Sequence, residues 1–181
     1  MTTIESLNPA TGKVADTYEK HDDEDVDRIL GDAHDAYDDW SSRRIEEREE
    51  LIAEAGEVLR QNKREYAETM TREMGKPITQ AVAEVEKCAW VCDYYAERAG
   101  EHLQDEHLGG EPGARTYVRY EPLGVVLAVM PWNYPFWQVF RFAVPNLTAG
   151  NVGVLKHALN VPGCARAIED VFERAGYPEN V

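Results

Sequence analysis

The sequence predicts an α/β fold in which an amino-terminal helical layer is followed by the start of a parallel sheet. Apolar residues between Asp22 and His102 recur at spacings of three and four, the period of helices with one buried face. Beyond residue 121 the pattern changes: VVLAVM and NVGVLK are short, apolar, β-branched runs, and each leads into a helical pattern. Strand, helix, strand, helix in that order implies right-handed parallel crossovers.

The elements follow in sequence. IESLNPATGKVADTYEK reads as two extended segments joined by a Pro/Gly turn, a hairpin over 1–20. Val26, Ile29, Leu30, Ala33, Ala36, Tyr37 and Trp40 form one helical stripe, with acids on the opposite face. The period returns in IEEREELIAEAGEVLRQNK and, past the Gly75 and Pro77 break, in ITQAVAEVEKCAWVCDYYAERAGEHL, so the helical layer spans 22–102. HLGGEPG has loop composition, and ARTYVRYEPLG alternates as a strand does, with Tyr117 and Arg119 on one side and Thr116, Val118 and Tyr120 on the other. VVLAVM reads as a strand buried on both faces, PFWQVFRFAVPNLTAG as a helix, NVGVLK as a second buried strand and VPGCARAIEDVFERAG as a helix ended by Gly176 and Pro178.

Composition narrows the function. In 181 residues there are 34 acidic and 19 basic side chains, a net charge of -15, which makes nucleic acid an unsuitable partner. The first hundred residues hold 25 of those acids, so the helical layer is the strongly solvated part. No apolar segment in MTTIESLNPATGK suggests a signal peptide, and the expectation is a cytoplasmic protein. The most apolar stretch, 122–144, is interrupted by Pro131, Asn133, Pro135, Gln138 and Arg141, so no membrane span is expected. Cys88, Cys92 and Cys164 are an odd set. Cys88 and Cys92 are one helical turn apart, but nothing nearby completes a metal site, and packing is the better reading for both.

Two polar residues are singled out. Asn133 stands between Pro131 and Pro135 in PWNYP, at the carboxyl end of VVLAVM, and Lys156 stands at the carboxyl end of NVGVL. Ligands of open parallel sheets bind beyond those strand ends. An asparagine in a proline-rich loop commonly caps a turn, and a strand-end lysine commonly reaches water. Their joint placement on one rim favours a site: an amide held by prolines and rings is preorganised as an oxyanion donor, and lysine offers a point charge to hydroxyls or phosphate.

The segment from EPLGVVLAVMPWNYP to LKHALNVPGCA, with EMGKPITQAVAEV and the NPATGK hairpin, resembles the aldehyde dehydrogenase superfamily over essentially the whole chain. LKHALNVPGCA and WQVFRFA are most similar to its NAD(P)-dependent succinate-semialdehyde dehydrogenase branch. The resemblance implies a Rossmann-like sheet beginning at 122 and running to 181, an oligomerisation arm over 103–121, and oxidation of an aldehyde to its acid with NAD or NADP. It further implies that Asn133 is the oxyanion amide, that Met130, Pro131 and Trp132 line the cofactor cleft beside it, and that Lys156 binds the cofactor's adenosine ribose. No metal is implied. Partners would be the aldehyde, further copies of the chain, or a complementing carboxyl-terminal piece.

Two departures matter. Many NAD-preferring relatives carry a glutamate where this chain has Leu159; without that carboxylate a 2'-phosphate is tolerated, and His157 stands close enough in sequence to help. The sequence also stops at Val181, whereas the family's pyrophosphate turn, general-base glutamate and nucleophilic cysteine would follow. The expectation is therefore a truncated or split piece, inactive alone; Cys164 lacks any surrounding resembling the family's nucleophile. A non-catalytic nucleotide-binding remnant and an acidic helical interaction module are the alternatives.

Only six of the nineteen basic residues are lysine, and such surfaces suit high intracellular salt, which screens carboxylate repulsion. The unfolding temperature should accordingly rise steeply as KCl is raised into the molar range; a salt-independent transition in scanning calorimetry would refute a halophilic origin.

Overall fold

A computed structural model describes residues 2–110 and 113–181. β1 (Thr3–Asn8) and β2 (Lys13–Glu19) pair antiparallel, with a register shift at Ser6/Leu7. Their turn closes because the Ala10 N–H donates to Asn8 Oδ1 and Gly12 takes a positive φ of 67°. α1 (Asp23–Ser42) starts at a reciprocal capping box between Asp22 and Asp25. α2 (Ile45–Gln61), α3 (Lys63–Met74) and α4 (Ile78–His102) complete the helical layer. Sequence periodicity alone does not reveal the break between α2 and α3 at Asn62, whose backbone leaves the helical region and whose side-chain amide donates back to Val58 O. α3 ends at Gly75 in the left-handed conformation, the cap expected from EMGKP.

β3 (Glu106–Leu108) and β4 (Thr116–Val118) form a separate antiparallel pair, exposed throughout. The alternation over ARTYVRYEPLG thus yields a strand of only three residues, because pairing with β3 extends no further. Glu111 and Pro112 of the intervening HLGGEPG loop lie outside the described residues.

β5 (Val125–Val129), α5 (Pro135–Thr148), β6 (Val152–Lys156) and α6 (Pro162–Arg174) follow as the βαβα unit. β5 and β6 are parallel, from Val125 opposite Val152 to Val129 opposite Lys156. The Asn151 side-chain oxygen accepts from the N–H groups of Leu123 and Gly124, anchoring the entry to β5 beside the start of β6. The fold is thus α/β with a small parallel sheet. Burial of β5 on both faces, expected from its apolar run, is not what the structure shows: Leu127 and Val129 are 62% and 66% exposed. An uninterrupted apolar run reports that a strand tolerates burial on both faces, not that both faces are covered within this chain.

The core lies where α4 meets α2, α3 and α5, and is filled by Trp40, Ile52, Leu59, Tyr66, Met70, Val85, Phe136, Phe140 and Val144. Cys88 and Cys92 are buried in it as small apolar side chains. Trp40 ties α1 to α5 by donating its indole N–H to Leu147 O at 3.1 Å. Among the described residues no helix is long and apolar enough to cross a membrane.

Arg48 is a buried cation without a carboxylate partner among the described residues. Its guanidinium donates to three carbonyls, Thr148 at the end of α5 (2.9 Å), Arg43 (2.8 Å) and Ser41 (3.3 Å), so it joins the α1–α2 corner to the sheet unit. Arg48→Ala should lose about 2–3 kcal/mol in chemical denaturation, since these carbonyls would be left buried and unpaired; a loss below about 0.5 kcal/mol would show that water replaces the guanidinium.

Candidate functional site

The carboxyl ends of β5 and β6 adjoin, because the Met130 N–H continues the ladder by donating to Lys156 O at 3.1 Å. Asn133 and Lys156 therefore occupy the same rim. Lys156 is exposed and its ammonium has no ion-pair partner among the described residues. Met130 is half-buried, while Pro131, Trp132 and Asn133 are exposed. Trp132 lies with Asn160 along a shallow depression whose other side is the β1–β2 turn, at Leu7, Asn8, Pro9 and Gly12. The hairpin thus borders the rim.

Asn133 has no side-chain hydrogen bond among the described residues, so its amide is available to a ligand. The loop that carries it is nevertheless fixed on both sides. Ahead of it stands the Met130 hydrogen bond. Behind it, His157 Nε2 donates to Pro135 O at 3.0 Å, a role set by Nδ1, which accepts from the Ala158 N–H at 2.8 Å. The next turn is held by Glu84 of α4, whose Oε1 accepts from the N–H groups of Phe136 (2.9 Å) and Trp137 (3.0 Å). Glu84 Oε2 pairs with Lys76, and the Lys76 ammonium sits 3.7 Å above the Tyr134 ring.

The helix after Lys156 is held the same way. Glu73 of α3 accepts from the N–H groups of Gly163 and Cys164, each at 2.8 Å. Gly163 admits this approach because a Cβ there would lie 2.8 Å from the Glu73 carboxylate. Both helix N-termini on this rim are therefore filled by carboxylates of the protein, and neither is open to a ligand's phosphate.

Sequence reasoning did not single out Glu73, Lys76 and Glu84. A signal was present: Glu84 falls on the apolar stripe Ala81, Val85, Cys88 and Cys92 of α4, and Glu73 on the stripe Tyr66, Ala67 and Met70 of α3. Acids on buried faces require partners. His157 is a correction. It is only 8% exposed with both ring nitrogens engaged, so it faces the α5 start and is not available to a 2'-phosphate. Leu159, by contrast, is 60% exposed, and the position carries no carboxylate.

None of the thiols is an activated nucleophile. Burial, with Glu84 adding to it, pushes the Cys88 thiol well up; burial also raises Cys92, and burial with Glu73 raises Cys164. Among the described residues there is no group of three or more histidine, cysteine or acidic side chains that could hold a metal ion.

Residues 1–181 match the family described as the aldehyde dehydrogenase family. A probable NADP(+) succinate-semialdehyde dehydrogenase of Synechocystis is 48% identical over 176 residues, and a succinate semialdehyde dehydrogenase [NAD(P)+] of Escherichia coli is 45% identical over 176. Each alignment covers 97% of this chain but 38% of the relative, so the chain spans about two fifths of their length. The succinic semialdehyde dehydrogenase of Streptococcus pyogenes, solved with NADP+, superposes with a TM-score of 0.92 at 35% identity, over 98% of this chain and 39% of that one.

Burial depresses the pKa of His157 below its ordinary 6.5. Below about 6.5 the unfolded chain then binds more protons than the folded one, so this residue's contribution is fully present above that pH and is lost progressively as pH falls below it toward the depressed folded value. His157→Gln should flatten the decline in stability between about pH 7.5 and pH 5 in denaturant titrations; an unchanged pH slope would refute the assignment.

Proposed function

Because the chain belongs to the aldehyde dehydrogenase family, we propose that it supplies the oxyanion donor and part of the cofactor cleft of an enzyme that oxidises succinate semialdehyde to succinate with NADP or NAD. The observation that carries this reading is the Asn133 amide, without a hydrogen-bond partner among the described residues, on a fixed loop whose strand adjoins that of Lys156. Its Nδ2–H donates to the aldehyde oxygen as negative charge develops there. That contact costs no reorganisation at the moment of reaction.

The residues present fit a nicotinamide dinucleotide. Lys156 offers an exposed ammonium at the strand end for the adenosine ribose, and the backbone of Met130 and Pro131 with the Trp132 ring forms the adjoining wall. When bound, the cofactor accepts the hydride that leaves the aldehyde carbon. The absence of a carboxylate at Leu159 removes a repulsion that would discriminate against the 2'-phosphate, which favours NADP acceptance. The NADP(+) named for the Synechocystis relative and the NADP+ bound in the Streptococcus pyogenes structure agree with that direction.

The nucleophile and general base come, in this reading, from the remainder of the catalytic fold and not from this chain. Cys88, Cys92 and Cys164 are buried with raised thiol pKa values, the opposite of what attack on an aldehyde needs. The β3–β4 hairpin, which exposes Leu108 and Tyr117, and the adjacent Tyr120 support an oligomerisation arm at 103–121.

The test is NADPH formation from succinate semialdehyde in high salt, by the 181-residue chain and by the chain together with the downstream region. No turnover alone, turnover on complementation, and a fall in kcat of about 10²–10³-fold for Asn133→Ala in the complemented enzyme are expected. Turnover by the chain alone, or an Asn133→Ala variant of full activity, would overturn the reading.

A further inference from the structure

We propose that Glu84, neutralised by Lys76, is the positioning residue that sets the direction of the Asn133 amide. The inference rests on the reading of Asn133 as oxyanion donor and assigns the machinery that aims it. Since no hydrogen bond among the described residues holds the Asn133 side chain, its direction is inherited from the backbone of 130–137. Of the four tethers on the segment 130–137, two come from the strand side, through Lys156 O and the His157 ring. The other two come from one buried ion pair: Glu84 Oε1 on the Phe136 and Trp137 N–H groups, and the Lys76 ammonium on the ring of Tyr134, the residue next to Asn133.

A helix needs no such device merely to start. Local Ser, Thr, Asp or Asn at the N-cap satisfies the same N–H groups without dehydrating a carboxylate and an ammonium. Here the N-cap is Tyr134, with no capping side chain, and the acceptor is brought from α4 with an exposure of 4%. A cap of this kind does what a local one cannot: it fixes where α5 begins relative to another element, and so where the loop before it ends. Lys76 has a second task. An uncompensated carboxylate behind the loop would oppose negative charge developing on the substrate oxygen, and the adjacent ammonium cancels that field.

The test is a double-mutant cycle between Glu84 and Asn133 in the complemented enzyme, read with amide hydrogen exchange at Phe136 and Trp137. Glu84→Gln keeps an acceptor for the N–H groups but turns an NH2 toward Lys76, and Glu84→Asp keeps the charge on a shorter stem. Either should accelerate exchange at Phe136 and Trp137 and lower kcat by about tenfold to a hundredfold, with KM for NADP within about twofold. In the Asn133→Ala background the same substitution should lower kcat no further, because its effect passes through the missing amide. If the losses in kcat multiply, or if exchange accelerates while kcat stays intact, Glu84 supports the fold without aiming Asn133 and the proposal is overturned. Should Glu84→Gln fail to fold, Glu84→Asp decides by the same cycle. An Asn133→Ala enzyme of full activity identifies failure of the underlying reading instead.

Discussion

The buried pair of Glu84 and Lys76 is the constraint on which the rim depends. Two charges are taken from water at a cost that their mutual attraction only partly offsets, and the remaining acceptor capacity is committed to the main chain of α5. Without Lys76 the carboxylate would be buried alone. Without Glu84 the start of α5 would lose its only side-chain cap among the described residues, and the Asn133 loop one of its anchors. Glu73 repeats the arrangement at α6, so both helices that follow the parallel strands are held by glutamates of the helical layer. EMGKP carries Glu73 and Lys76 and, by its turn, sets the start of the helix that carries Glu84.

Charge is used in two ways in this molecule. On the outer faces of α1 and α2, acids are abundant, solvated and weakly paired, and the ion pairs there, such as Arg28 with Asp25 and Arg44 with Glu47, contribute little each. Inside, charged residues are few: Arg48, Glu73 and Glu84 satisfy main-chain groups at junctions between elements, and Lys76 pairs with Glu84. The surface charge faces solvent, whereas the interior charge ties one element to another. The sheet is the least enclosed part, with Leu127 and Val129 open on one face of β5.

The helical stripes, the turn at Gly75 and the βαβα order were legible in the sequence because period and turn chemistry are local properties. So was the shared rim of Asn133 and Lys156, since parallel strands joined by a right-handed crossover put their carboxyl ends together. The family, too, was legible in PWNYP and LKHALNVPGCA. The break at Asn62 was not, because both flanking segments keep a helical stripe and only the backbone at one residue departs from it.

What tertiary structure alone decided is which polar groups the interior consumes. Glu73, Glu84 and His157 look in sequence like ordinary members of helices and of a strand-end loop. Their partners at Gly163, Phe136 and Pro135 are distant along the chain, and no local pattern encodes a hydrogen bond to a backbone group that carries no sequence signature. The sequence by itself determined most of the elements, their order and the shared rim of Asn133 and Lys156. Only packing determined that the starts of α5 and α6 are filled by the protein's own carboxylates, with Asn133 and Lys156 exposed on the rim beside them.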